Sequence, residues 1–444
     1  MLTHEMRRRL SELRGSQFSK NMGAGSLNAL IGAVLSVGAY PVYLHFLGYH
    51  TYGIWLLLTM VISVAQMGSL GVPWALTKLV AEAHGRSDWE GVRQYINTAC
   101  VFTAAMGSAL FALTFAFRRQ IINWSKLGRA DEAIVYSLVS FVAALSVLVV
   151  VFSTLNAALA GLGRIDLMCW NETLAQVSII AVAVALLNVG LGVRSMLVAF
   201  TCAYTLTLLV AYGLLARLSP IPLLRIEAIR RDRLRRLLGT GGWILAASTF
   251  SLLIVPFNRL MLSRYAGASA ITVYDICYTG SMRIRGFLEV AFRAIMPEMS
   301  KLASAPVAAI QARASSLNRN AAHLILIFAL PFYLVLFAAA PFLLRLWLRH
   351  SFTNTLPGVF RTMLLASFLS LWGVPAYFTL IGVGRGRKVV SFSLFQLTVN
   401  IAAVLAVLLC SGTVTAGSAS WAFVLAAGCS TLYVRLSCAR VERP

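Results

Sequence analysis

Apolar stretches long enough to cross a bilayer as helices recur from residue 24 almost to the C-terminal end of this chain. About 20 mainly apolar residues span the roughly 30 Å hydrocarbon core. Only 12% of the 444 residues are charged, and the mean hydropathy of +0.80 is far outside the range of a soluble domain. We therefore predict an all-α integral membrane protein with twelve transmembrane helices at residues 24–46, 54–76, 96–117, 134–160, 169–189, 195–215, 241–263, 274–298, 320–343, 358–381, 389–410 and 417–436.

Basic residues are distributed unevenly between the segments that join these helices. With the N-terminus inside, the cytoplasmic segments hold 25 lysines and arginines and the external segments hold 9. The positive-inside rule therefore predicts that both termini are cytoplasmic. The net charge of +23 is explained by these loops, which contact membrane lipids, and the absence of a basic-aromatic motif argues against nucleic acid as a partner.

The most polar segment, residues 216–240, carries seven arginines and separates two sets of six predicted helices. We therefore predict an N-terminal lobe at 1–215, a basic cytoplasmic linker at 216–240 and a C-terminal lobe at 241–444. Gly48 and Gly267 occupy short turns at matching places in the two lobes, which suggests a parallel repeat. The apolar side of the linker predicts a segment lying along the cytoplasmic leaflet, and a solvated basic loop fits the pattern equally well.

Residues suited to catalysis or metal binding do not form a recognisable set. The seven cysteines lie in or beside apolar spans without a C-x-x-C pair, and the six histidines are scattered. Neither disulfides nor a metal site are expected from this arrangement. Because no Ser-His-Asp set, Cys-His set or D-x-D motif is present, we predict a protein that is not an enzyme, without catalytic residues or a cofactor.

The apolar stretch "SMRIRGFLEVAFRAIMPEM", residues 281–299, contains five charged residues. Helical rise places Arg283 and Arg285 near the bilayer midplane, where one arginine costs at least about 2.5 kcal/mol. Such residues must face partners or a water-filled cavity. Arg285, Glu289 and Arg293 share one helix face, and Arg283 lies on the other side. One group is expected to line a cavity, although an internal Arg285–Glu289 pair that only aids insertion fits the spacing too.

Three further cations are candidates for the same site. Arg259 follows Pro256, which should bend its helix and free backbone groups. Extension of the Arg259 side chain to the external interface fits the sequence equally well. Lys20 and Lys78 lie at the cytoplasmic ends of the first two helices, where they also suit simple membrane anchors. Arginine presents a planar fork that matches phosphate oxygens. We therefore predict a transporter of an anionic, amphiphilic solute with substrate-binding Lys20, Lys78, Arg259, Arg283, Arg285 and Arg293.

At these residues the sequence resembles the lipid-linked oligosaccharide (O-antigen type) flippases, the polysaccharide-export branch of the multidrug/oligosaccharidyl-lipid/polysaccharide exporter superfamily. The resemblance rests on "LGYHTYGIW" (47–55), on "GVPWALTKLVAE" (71–82) and on the region from Asn258 to Leu302. It implies two six-helix lobes around a central cavity that opens alternately to the two sides. The implied substrate is an undecaprenyl-diphosphate-linked oligosaccharide, flipped across the bacterial inner membrane for surface polysaccharide biosynthesis.

The resemblance also assigns roles to individual residues. Lys20, Arg283, Arg285 and Arg293 fall where the family places cationic cavity residues, which implies that they bind the diphosphate. Asn258 stands where relatives commonly carry an acid, so an ion-coupling role there does not transfer, and Asp275 and Glu289 become the candidates. Polysaccharide polymerase or ligase proteins are the implied further partners.

Three other functions are compatible with a polytopic chain. A multidrug or cation exporter of the same fold should carry unpaired acids, rather than arginines, at membrane depth. A membrane-embedded glycan polymerase or glycosyltransferase usually needs large loops or acidic sites, and this chain has no external loop beyond about 17 residues. The arginines inside the membrane argue against a scaffold protein without transport. The flippase is therefore the favoured hypothesis.

Overall fold

The computed structural model describes residues 17–68, 71–125, 128–221, 230–239, 242–292, 295, 299 and 307–442. Within these ranges the chain is α-helical, with short 3₁₀ and π turns and no strand. Ten helical stretches among the described residues are long and apolar enough to cross a membrane. The structure thus confirms the all-α membrane fold that the apolar stretches predict.

The first helix, α1 (Gln17–Gly68), is too long for a single crossing. Its 52 residues would extend about 78 Å if straight, more than twice the hydrocarbon thickness. Gly48 interrupts the helix with φ 67° and ψ 174°, a conformation that glycine adopts without steric cost. Gly267 has φ 81° immediately before a later helix. Both glycine turns expected from the sequence are therefore present, and α1 consists of two joined helices.

The chain divides into two compact units. The first comprises the described residues up to Val42, together with Leu58–Ile122 and Arg129–Gly242. The second comprises Tyr43–Leu57, Asn123–Gly128 and the described residues from Trp243 onward. The second half of the chain therefore forms a unit with two short segments of the first half, one of which surrounds Gly48.

The first unit contains part of α1 and α3, together with five shorter helices. The bounds of the helices after α1 are α2 (Val72–Gly85), α3 (Trp89–Ser125), α4 (Arg129–Gly161), α5 (Ile165–Asn188), α6 (Val193–Leu218) and α7 (Arg231–Gly239). Helix α7 is the end of the predicted basic linker, of which 222–229 lie outside the described residues.

Helix α7 packs against the protein core of the first unit. Leu237 is fully buried in a cluster that includes Leu76. The Arg233 guanidinium donates hydrogen bonds to Gln94 Oε1 at 3.1 Å and to the Tyr95 hydroxyl at 3.0 Å. Leu237 is an apolar residue of the predicted linker, and its side chain contacts protein in this cluster.

Seven helices of the second unit that follow the linker lie within the described residues. They are α8 (Gly242–Ala266), α9 (Ala268–Glu289), α10 (Val307–Leu324), α11 (Leu330–Leu348), α12 (Leu356–Gly382), α13 (Gly386–Ser411) and α14 (Ala416–Glu442). A π-helical segment at Ile325–Ala329 joins α10 to α11. Part of the core is a cluster of Ala247, Ala376, Leu380, Val389, Val434 and Cys438, in which small side chains let α8, α12 and α14 approach closely.

Helix α9 is not among the ten apolar candidates, although its 22 residues correspond to about 33 Å of helix. Its polarity comes from Asp275, Arg283, Arg285 and Glu289. A helix with these charges is stable inside a membrane only if they are paired or face a polar cavity. The surroundings of α9 therefore define the candidate site.

Candidate functional site

The second unit contains a polar cavity of about 370 Å³ between α8, α9, α12, α13 and α14. Four residues of α9 line it at spacings of four, three and four, so that one face of this helix points inward. The lining residues are Ser251, Ile254, Tyr278, Met282, Arg285, Glu289, Ser370, Gly373, Val374, Tyr377, Phe392, Ser393, Gln396 and Phe423. This volume falls within the range of about 300–1,000 Å³ that is typical of small-molecule sites.

Arg285 and Glu289 are the charged groups among these lining residues. Arg285 Nη2 donates to Glu289 Oε2 at 2.7 Å, and the two side chains are 29% and 16% exposed. The i, i+4 spacing that predicts such a pair from the sequence is therefore realised. Because each charge offsets the other, the cavity wall is formally neutral while it still offers guanidinium donors and carboxylate acceptors.

Hydroxyl, amide and aromatic groups form the rest of the polar wall. Ser251 Oγ donates to Ser393 Oγ at 3.2 Å across α8 and α13. The Tyr278 and Phe423 rings meet edge to face with centroids 5.5 Å apart. These residues are not predicted from the sequence, because each is a single polar or aromatic group within an apolar span and only helix packing brings them together.

Arg283 is not among the residues that line the described cavity. The Arg283 side chain is exposed and lies on a different face of α9 from Arg285. Arg293, which the sequence places on the cavity face, lies outside the described residues, as does Glu298. Of the two described arginines in the stretch 281–299, Arg283 and Arg285, the structure places Arg285 in the cavity.

Arg259 and Asp275 form a second ion pair, which joins α8 to α9. Both side chains are largely buried, and Arg259 Nη1 also donates to the Leu56 carbonyl at 3.2 Å. The neighbouring Asn258 is fully buried and donates to the Tyr274 hydroxyl at 2.7 Å. The structure therefore places Arg259 and Asp275 inside the helix packing, away from the lining of the cavity.

Lys20 and Lys78 lie in the first unit. Lys20 is exposed near the start of α1, and Lys78 Nζ is 3.8 Å from Glu82 Oε1, with both side chains largely exposed. Exposed pairs of this kind contribute little to stability. The structure does not bring either lysine to the described cavity.

Glu172 is a carboxylate within an apolar helix, and it is not among the site residues predicted from the sequence. It lies on α5 of the first unit, where Asn28 Nδ2 donates to its Oε2 at 2.9 Å. Thr173 Oγ1 donates to Asn28 Oδ1 at 2.8 Å, which orients the side-chain amide. The sequence contains a feature that could have identified Glu172, because a single acid in the predicted span 169–189 is unusual in a transmembrane helix.

Comparison with known proteins relates this chain to one family and one fold. A family model described as polysaccharide biosynthesis protein matches residues 18–303. A comparison with curated proteins finds no match.

Solved structures of similar fold are transporters of the MOP superfamily. An inward-facing multidrug resistance MATE family transporter has a TM-score of 0.68 and 16% identity, covering 94% of this chain and 95% of its own. An outward-facing structure of such a transporter has a TM-score of 0.65 and 15% identity, covering 97% and 98%. A MOP superfamily transporter from Pyrococcus furiosus, described by the reverse polarity of its binding pocket, has a TM-score of 0.66 and 15% identity, covering 97% and 98%.

Proposed function

This chain belongs to the polysaccharide biosynthesis protein family and has the fold of a membrane transporter, and from these premises we propose that it flips a lipid-diphosphate-linked oligosaccharide. The movement is from the cytoplasmic to the outer leaflet of the bacterial inner membrane, by alternating access. The substrate is an undecaprenyl-diphosphate-linked oligosaccharide used for surface polysaccharide biosynthesis. Both termini are cytoplasmic in this proposal, and polymerase or ligase proteins act on the product.

The observation that carries the proposal is the polar cavity around Arg285. Inside an apolar bundle, a cavity with a cation, hydroxyls and an amide suits the polar part of an amphiphile, whose lipid chain remains in the bilayer. A guanidinium has five N–H donors, and Arg285 bonds to Glu289 through one nitrogen. The remaining donors are suited to a bidentate contact with diphosphate oxygens.

Glu289 and the diphosphate compete for Arg285 in this mechanism. With the cavity empty, the carboxylate neutralises the guanidinium. A proton on Glu289 would remove that charge and release Arg285 to the substrate. Glu289 is therefore the proposed ion-coupling residue; Asp275, the other candidate, is bound by Arg259 and needs that pair to open first.

The remaining cations have supporting roles in the proposal. Arg283, Arg293, Lys20 and Lys78 are proposed to contact the diphosphate at other stages of its passage. Arg259 is also a proposed contact, which requires release from Asp275. Lys20, Lys78, Arg259 and Arg283 are not among the residues that line the described cavity, and Arg293 lies outside the described residues. Arg285 is therefore the first residue to test.

Cation export by the same fold is the main competing function. A cationic drug needs an acid that is not already neutralised, whereas Glu289 is paired with Arg285. The Pyrococcus furiosus transporter, in which reverse polarity of the pocket suggests a different function, supports the idea that pocket polarity separates activities within this fold. A polymerase is disfavoured because the described cavity lining contains a single carboxylate.

Deletion of the protein from its cell tests the proposal. Lipid-linked oligosaccharides should accumulate in the cytoplasmic leaflet, and the surface glycan should be lost, because the polar head group cannot cross the hydrocarbon unaided. The measurement is lipid extraction combined with a leaflet-accessibility assay. Whole repeat units that reach the outer leaflet but remain unpolymerised would contradict the proposal and favour the polymerase.

A further inference from the structure

We propose that the cavity in the second unit is a sugar subsite, in which Gln396 and Ser370 select lipids that carry a glycan. This inference rests on the proposed function and adds the part of the substrate that this wall recognises. In this proposal the diphosphate contacts Arg285, and the first sugars attached to it occupy the remaining volume.

The charge of the wall favours a neutral ligand over most of its surface. The charged lining groups, Arg285 and Glu289, offset each other at 2.7 Å. Arg285 can bind one diphosphate group, but the rest of the described wall offers no further cation for a second charged group. A neutral sugar, which is rich in hydroxyls, has no comparable cost of charge burial and matches the polar lining.

Gln396 and Ser370 contribute polar side chains to this wall. Within the described part of the chain, neither the Gln396 amide on α13 nor the Ser370 hydroxyl on α12 forms a hydrogen bond, although both line the cavity. At membrane depth, polar groups need a hydrogen-bond partner. An amide both donates and accepts, as does a hydroxyl, so the pair is suited to the hydroxyl groups of a sugar.

Aromatic rings supply the other surface that a sugar requires. Tyr278 contacts Phe423 at 5.5 Å between centroids, and Tyr377 contacts Phe392 at 5.8 Å, all four lining the cavity. Sugar rings present apolar C–H faces beside their hydroxyls, and aromatic side chains pack against such faces through weak C–H contacts. Hydroxyl, amide and aromatic groups therefore surround the same volume.

The test compares two lipids on the purified full-length protein in lipid nanodiscs. One probe is the lipid-linked oligosaccharide extracted from cells that lack the protein, and the other is undecaprenyl diphosphate without sugars. The unmodified protein should prefer the glycan-bearing lipid. In Gln396→Leu and in Ser370→Ala, we expect that preference, measured as the ratio of the two Kd values, to fall by up to about ten-fold each.

Matched variants separate recognition from folding. Thr398→Val changes an exposed hydroxyl on the same helix, which bonds within α13 to Phe395, and should retain the full preference. Gln396→Asn keeps the amide and should retain part of it. An equal loss of affinity for both lipids in Gln396→Leu, or an unchanged ratio, would overturn the sugar subsite.

The two proposals can fail separately in this experiment. If the unmodified protein binds both lipids with equal affinity, the sugar subsite is wrong while diphosphate recognition stands. If it binds neither lipid although it is folded, the proposed function is contradicted and the inference falls with it. Preference for the glycan-bearing lipid that is lost in both Gln396→Leu and Ser370→Ala supports both proposals.

Discussion

Arg285→Ala is expected to lose at least about 100-fold in transport of the lipid-linked oligosaccharide. Loss of the cation from the cavity lining removes the diphosphate contact and leaves Glu289 as an uncompensated carboxylate at membrane depth. Breaking a desolvated charge pair from one side typically costs about 3–5 kcal/mol, and the partial exposure of this pair points to the lower end. The measurement is initial flipping rate per folded molecule, with folded protein quantified by size-exclusion chromatography.

Two further variants distinguish substrate binding from charge balance at Arg285. Arg285→Lys should recover only part of the rate, because lysine keeps the charge but lacks the bidentate fork. Arg285→Ala combined with Glu289→Gln should recover folded yield without recovering transport. Full transport in that double variant, or in Arg285→Ala alone, would show that Arg285 serves only as a counter-ion for Glu289.

Asp275→Asn should be among the most destabilising single substitutions in the chain. It leaves the Arg259 guanidinium largely buried and without its carboxylate between α8 and α9, a change that costs about 3–5 kcal/mol in buried pairs. The expected result is a large drop in thermal unfolding temperature and in folded yield. Removing both charges, with Arg259→Met and Asp275→Leu together, should restore most of the yield because no buried charge remains.

The same double variant reports on function. If Arg259 and Asp275 only hold α8 against α9, the folded double variant should transport at a rate close to that of the unmodified protein. A folded double variant without transport would instead support substrate binding by Arg259 or ion coupling through Asp275. Asp275→Asn with unchanged unfolding temperature would contradict the structural account of this pair.

Local patterns in the sequence predict the helices and one part of the site. Apolar runs of membrane length identify the transmembrane helices, and Gly48 and Gly267 mark turns because the backbone there needs positive φ. The i, i+4 spacing of Arg285 and Glu289 predicts their ion pair, since helix geometry alone brings them together. These predictions depend on interactions within one helix.

Interactions between helices are the part that the sequence does not reveal. Arg259 and Asp275 are 16 residues apart on two helices, and nothing in either segment shows that they meet rather than extend to an interface or a ligand. Gln396 cannot be assigned to a site from the sequence either, because one amide in an apolar helix does not show that the helix lines a cavity with α9 and α12. Tertiary packing therefore decides which polar residues form the site.

The central claim is tested most directly by reconstituting the purified protein into vesicles that contain the extracted lipid-linked oligosaccharide. The rate at which glycan becomes accessible in the opposite leaflet is measured with and without a proton gradient. We predict protein-dependent transfer that is strongly reduced by Arg285→Ala. Transfer by the folded protein that never exceeds that of empty vesicles, with or without the gradient, would contradict the flippase account.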